Sequence, residues 1–142
     1  MDHIAYLKSA WHLLDAILAG TKTIESRWYV HKRPPYDHIA PDDVVYFAEG
    51  GVIGGKAIVK KVEQHDDLTP GTIRQLFEQY VHELGLPPER LEEFIAFWKD
   101  KRYCVLIFLE KPERVAPFRI KKDGYGTMAA WITTEDIQKI KE

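Results

Sequence analysis

Two apolar runs hinged on a glycine pair constrain this chain more than any other feature. Residues 44–48 read as a buried strand and residues 52–62 as a long one, with Gly50-Gly51 between them. Gly51 supplies the backbone freedom that a tight hairpin turn demands. Gly54 and Gly55 fall inside the second run, where glycine marks a bulge or a sharp coil, as at a barrel corner. A hairpin with one bent arm belongs to a curled sheet.

The flanking segments extend that reading. Residues 4–7 form a short strand. Ser9 is the expected N-cap of a helix running to Ala19, with Trp11, Leu14 and Leu18 at helical spacing and Gly20 as the terminator. Residues 21–28 alternate and are rich in β-branched side chains, so they read as a strand. Residues 29–41 hold three prolines, two histidines and two basic residues, and read as a surface loop. Thr69-Pro70 opens a helix whose apolar stripe is Ile73, Leu76, Phe77, Tyr80, Val81 and Leu84, closed by Gly85. Pro87-Pro88 starts a second helix with Leu91, Phe94, Ile95 and Trp98 inward. Residues 103–109 are almost continuously apolar, which marks a buried central strand. Residues 115–120 contain Pro117 and predict an edge strand. Gly124 and Gly126 mark a turn, and Thr133 or Thr134 caps a last short helix through Ile137 and Ile140. The pattern predicts an α+β fold: a curled antiparallel β-barrel with peripheral helices, in which residues 63–100 are an inserted helical pair. At 142 residues the expectation is a single domain over 1–142.

Composition removes several function classes. The net charge of −2 advertises no nucleic-acid or membrane partner in bulk. Cys104 is the only cysteine, so an internal disulfide and any multi-cysteine metal site are excluded. It lies within the central apolar run, where cysteine behaves as a small hydrophobe. Met1-Asp2-His3 lacks a basic leader, and no apolar run approaches the ~20 residues that cross a bilayer. These features predict a soluble cytoplasmic protein without a membrane partner. His3, His12, His31, His38, His65 and His82 show no HxxxH or HExxH spacing, no glycine-rich phosphate loop occurs, and GxSxG is absent. No metal and no cofactor is expected. The average charge conceals a division, however. Residues 63–100 carry nine acids against three Lys/Arg, a net of −6. Residues 20–36 carry four Lys/Arg against one acid, a net of +3.

The densest polar cluster is Gly20-Thr21-Lys22-Thr23-Ile24-Glu25-Ser26-Arg27. On a strand, Glu25 and Arg27 share one face and Lys22 lies at the strand's beginning. A carboxylate accepts from amino or imino groups, and a guanidinium grips phosphate or a carbonyl. The same spacing also serves a solvated ion pair on a surface strand. Trp28-Tyr29-Val30-His31-Lys32-Arg33 follows, and aromatics interleaved with cations can stack bases while drawing phosphates. Alternatively Trp28 is core and the rest a proline-stiffened loop.

The stretch Ile17-Leu18-Ala19-Gly20-Thr21-Lys22-Thr23-Ile24-Glu25-Ser26-Arg27 resembles the signature of ASCH domains, members of the PUA-like superfamily. Their pattern is a helix, G-x-K-T-I-E-x-R, then a G-D-x-V-x-F strand. The second part is matched by Asp42-Asp43-Val44-Val45-Tyr46-Phe47, with Asp42 in place of glycine. The resemblance implies a PUA-like curled barrel with a cleft floored by the motif. It also implies RNA or nucleotide binding through Lys22, Glu25 and Arg27, with Trp28 or Trp11 for stacking. Lys32 and Arg33 stand beside them in the basic loop. Some small bacterial ASCH proteins are amidohydrolases that deacylate N4-acetylcytidine, with a lysine, a threonine three residues later and a more distant glutamate. Lys22 matches the lysine, Glu25 occupies the threonine's place, and the glutamate falls near Glu83. Other members are reported as ribonucleases.

Three readings follow. The first is a module that binds RNA, a nucleoside or a nucleotide through Lys22, Glu25, Arg27, Trp28, Lys32, Arg33 and Trp11. The second is an amidohydrolase with Lys22, Glu25 and Glu83 in its catalytic set. The third is a protein partner recognised by the acidic helical pair.

Overall fold

The protein is described by a computed structural model over residues 1–121 and 130–142. Six strands form one sheet: β1 (Asp2–Leu7), β2 (Ile24–Tyr29), β3 (Val44–Glu49), β4 (Val52–His65), β5 (Tyr103–Phe118) and β6 (Trp131–Thr134). Their spatial order is β2-β5-β4-β3-β1-β6. Four pairings are antiparallel, and β1 against β3 is parallel, so the sheet is mixed where an antiparallel one was expected. Three helices, α1 (Leu13–Ala19), α2 (Pro70–Leu84) and α3 (Leu91–Trp98), complete an α+β half-barrel.

The glycine hairpin does what its sequence demands. Gly50 and Gly51 take φ of 58° and 81°, a conformation that costs other residues strain. The β3–β4 register slips at Phe47/Ala48, and the β4–β5 register slips at three places, the first between Ile53 and Gly55. Each slip adds local twist, and together they curl the sheet. α1 packs into the bend: a Cβ at Gly55 would lie 2.9 Å from Leu14 Cδ1. Inside the curl, α1 closes a core that includes Ala5, Phe47, Val59, Val105 and Ile107. On the other face α2 and α3 cover β2 and β5 in a second core around Ile24, Phe77, Leu84, Phe94, Cys104 and Leu106.

Several expectations change at element ends. The first helix is broken, with a single 3-10 turn over Ser9–Trp11 and α1 beginning only after His12, at φ 52°. Ser9 makes no side-chain cap, since it lies within that turn. Gly20 terminates α1 in the left-handed region, as expected. α2 opens on a capping box between Thr69 and Thr72 and closes on Gly85. β5 runs unbroken through Pro112 and Pro117, so 115–120 is no separate strand. Its outer half pairs with β4, and β2 pairs only with its first six residues. Thr133 and Thr134 pair with β1 in β6, and the cap of the last 3-10 turn is Asp136, whose carboxylate accepts from Gln138 N. The turn expected at Gly124 and Gly126 lies outside the described residues. None of the described helices is long and apolar enough to cross a membrane.

His3, fully buried on β1, ties β6 and the start of β3 together. Trp131 Nε1 donates to His3 Nδ1 at 3.2 Å, so Nδ1 is the acceptor and Nε2–H donates to Asp43 Oδ2 at 2.8 Å. Burial lowers the imidazole's pKa against the pull of Asp43. Because the folded value lies below the unfolded one of ~6.5, the unfolded chain binds more protons in that window. Stability therefore falls as pH drops through ~6.5 and levels off below the folded pKa. Urea midpoints measured from pH 7.5 to 5.5 should decline more steeply for the wild type than for His3→Gln. Equal slopes would mean that His3 titrates normally.

Candidate functional site

β2 is an edge strand of the sheet, and β1 and β6 form the opposite end. Where these ends approach without pairing, a cleft of about 740 Å³ opens along β2. Its wall includes Tyr6 and Lys8 from the β1 end, Glu25 to Tyr29 from β2, and Arg90, Phe94, Phe97 and Trp98 from the α3 region. Running along an edge that pairs with no further strand among the described residues, it takes side chains from both faces of β2.

The floor is built by Lys22, which precedes β2. Thr21 N and Lys22 N both bond Ala16 O in α1, and Thr23 N bonds Glu83 O, so these three N–H groups are turned away from the sheet, although Thr23 O still accepts from Leu109 N of β5. That local geometry shortens the expected 21–28 strand and turns the Lys22 side chain inward, where it is 3% exposed. Its Nζ donates to Ile24 O and to Leu84 O, each at 2.7 Å. Gly85 makes room for the stem: at φ 69° it terminates α2, and a Cβ there would stand 3.0 Å from Lys22 Cβ. Burial lowers the ammonium's pKa below the usual lysine range, and the nearby Glu25 opposes that shift.

Glu25 is 5% exposed, and its Oε2 is buried with no hydrogen-bond partner among the described residues. Arg27 Nε stands 3.7 Å from Glu25 Oε1 and is likewise buried and unbonded. The rest of the Arg27 guanidinium bridges the gap in the sheet, donating to Tyr6 O at 3.1 Å and to Ala130 O at 3.3 Å. It also sits over Trp131, 5.2 Å from the ring centroid. Arg27 is therefore a clasp across the seam as well as part of its lining.

The aromatics divide into wall and rim. Trp28 is buried, stacks on Trp98 at 4.4 Å, and donates from Nε1 to Ser26 Oγ. Trp11 is 39% exposed and meets Phe94 edge-on at 5.9 Å. Phe97 is 67% exposed. Sequence reasoning passed over Phe97 and Lys101, although an aromatic lying off the inward stripe of an amphipathic helix is a readable signal. The structure brings Lys22, Glu25, Arg27, Trp28 and Trp11 together in the cleft. It leaves Lys32 outside, over the rings of Tyr36 and Tyr103, and places Arg33 in an adjoining depression. Glu83 is exposed and is not among the cleft residues, offering its carbonyl to Thr23. Among the described residues, no three His, Cys, Asp or Glu side chains group closely enough to hold a metal ion.

Removing one charge from the floor leaves the other less compensated. Lys22→Met should cost about 3–5 kcal/mol in urea denaturation, because two buried carbonyls lose their donor and Glu25 loses a neighbouring positive charge, keeping only Arg27. Adding Glu25→Gln should restore part of the loss. A single variant within ~0.5 kcal/mol of wild type would show that the pair is not coupled.

No family model matches the sequence, and no curated protein sequence matches it. Solved structures do. A crystal structure of ASCH from Zymomonas mobilis superposes with a TM-score of 0.68 at 14% identity, over 97% of this chain and 91% of that one. A tyrosine-to-phenylalanine mutant of the same protein gives 0.70 at 15% identity, over 97% and 93%. The hypothetical protein PH0355 gives 0.55 at 21% identity, over 81% of this chain and 100% of that one. Identity this low speaks for architecture and leaves the chemistry of the cleft to its own residues. The chain has the fold seen in those ASCH crystal structures, a curled mixed sheet with three helices.

Proposed function

We propose that the cleft binds RNA or a modified nucleoside by taking a base against its aromatic wall. The observation that carries this reading is one depression holding exposed aromatics and a buried carboxylate whose Oε2 lacks a hydrogen-bond partner among the described residues. A nucleobase supplies what that arrangement lacks: amino or imino donors on one edge and a π face for stacking. An unpaired buried carboxylate oxygen is costly, and a ligand donor relieves that cost. The cleft volume of about 740 Å³ lies in the range of small-molecule sites. The resemblance of the 17–27 stretch to ASCH domains points the same way.

A second reading, an amidohydrolase acting on N4-acylated cytidine, has one observation in its favour: burial eases deprotonation of Lys22. A neutral amine is the form that serves as a base, and its population rises with pH through a value below the usual lysine range. On that reading the protein releases cytidine from N4-acetylcytidine, faster as pH rises. No cytidine at high protein concentration would sink it.

The binding reading is tested by tryptophan fluorescence during titration with the ribonucleosides, N4-acetylcytidine and a mixed-sequence single-stranded RNA octamer. Saturable quenching is expected for at least one. Trp11→Ala and Phe97→Ala should each weaken binding by about 1–3 kcal/mol, or ~5- to 150-fold, if a base stacks on them. Both side chains are exposed, so melting temperatures should hardly move. Absence of saturable binding for every probe would overturn the proposal.

A further inference from the structure

The main cleft does not end at its wall. A second depression of about 150 Å³ adjoins it, lined by Tyr29, Val30, His31, Arg33 and Lys101. Tyr29 and Lys101 line both, so the two spaces adjoin. The smaller one is basic: two cations and a histidine line it, and no acid does. Tyr29 Oη donates to Pro34 O at 3.2 Å, which holds the loop bearing Arg33 against the end of β2.

Most cations of the main cleft are engaged, and Lys8, which forms no ion pair among the described residues, lies over the Trp11 ring, 4.9 Å from its centroid. Lys22 is buried and spent on two carbonyls. Arg27 spans the seam. Arg90 is held by Glu93, with two bonds of 2.9 and 2.7 Å. Among the described residues, neither Arg33 nor Lys101 forms an ion pair. Arg33 is exposed and Lys101 half-buried. Two uncommitted cations beside a base-sized cleft, with an aromatic ring at the junction, match the repeat of a polynucleotide: a base, then a phosphate.

We infer that the shelf formed by Arg33, Lys101 and Tyr29 is a phosphate subsite, and that the ligand is therefore a single-stranded RNA whose backbone leaves the cleft across it. This rests on the base-binding reading of the cleft and extends it, since a free nucleoside leaves the shelf empty. The double variant Arg33→Ala/Lys101→Ala tests it, with Lys60→Ala/Arg114→Ala as a control of equal charge change on exposed positions of β4 and β5. Binding of the mixed-sequence octamer is followed by anisotropy across salt concentrations, beside a nucleoside and its monophosphates. The Arg33/Lys101 variant should weaken octamer binding and lower the slope of log K against log salt by about 0.7, the share of one phosphate on a single strand. Nucleoside affinity should stay within about twofold for Arg33→Ala alone, since Arg33 lies outside the main cleft and a nucleoside has no phosphate to lose, and the control should keep the wild-type slope. An unchanged slope, an equal loss for octamer and nucleoside in Arg33→Ala, or an equal fall in the control would overturn the subsite. A monophosphate binding as tightly as the octamer would overturn the strand. If the wild type binds no probe, the base-binding reading falls and the subsite with it.

Discussion

The buried ammonium of Lys22 is the contact on which the site depends. It joins two elements that are distant in sequence, because Ile24 O opens β2 and Leu84 O closes α2. The last carbonyls of a helix need partners and carry partial negative charge, so a cation is the natural cap. Here the cation arrives from another element and from inside the protein. It fixes where α2 ends against the sheet, and hence where α3 and its aromatics stand above the cleft. Gly85 is required twice over, once for its positive φ and once for the space the lysine stem fills. Glu25 then moderates the electrostatic cost of burying a positive charge.

A second cation works the same way at the seam. A sheet that curls without closing leaves edge groups exposed, and each open edge is a liability. Arg27 answers with a guanidinium in place of another strand, reaching Tyr6 O and Ala130 O across the gap. A planar group with several donors suits this better than lysine would. The gap left open around Arg27 is the cleft itself. The fold's closure and its candidate site are thus one feature, and a substitution at Arg27 affects both.

Much of the fold was legible because its strongest signals are local. The Gly50-Gly51 turn, the Gly54-Gly55 bend, the Thr69 cap and the Gly85 stop are each decided by a few residues and a backbone requirement. The parallel β1–β3 pairing was not legible, since pairing partners far apart in sequence leave no periodic trace. Nor was β6: Trp131–Thr134 is short, and its β-branched pair reads equally well as a cap. Part of the site was legible too, as the 22–27 cluster carries three charges in six residues. What the sequence could not reveal was how those charges are spent. Lys22 and Arg27 read as ligand-facing cations, yet much of their hydrogen bonding goes to backbone carbonyls. Arg33 and Lys101, which form no ion pair among the described residues, lie on the adjoining shelf, and Lys101 gave no signal beyond its charge. The acidic segment also reads differently in three dimensions, because Glu92 and Glu93 are bonded to Arg74 and Arg90.

The position of Glu25 bears directly on binding against catalysis. A threonine there, as in the amidohydrolases the motif resembles, offers a hydroxyl that can attack a carbonyl after losing its proton to a base. An ionised carboxylate has no proton to lose and accepts hydrogen bonds only. Lys22 is less decisive. As an ammonium it donates to Ile24 O and Leu84 O with one N–H to spare; as a neutral amine it keeps both bonds and gains a lone pair in the third direction. Its structural role therefore survives in either protonation state, and base chemistry remains compatible with the clamp. Position 25 itself offers no nucleophilic hydroxyl, so hydrolysis at that position would require a water activated by Glu25. Binding asks less of the same residues: an acceptor in Glu25, a buried cation near it, and a π surface lining the same cleft.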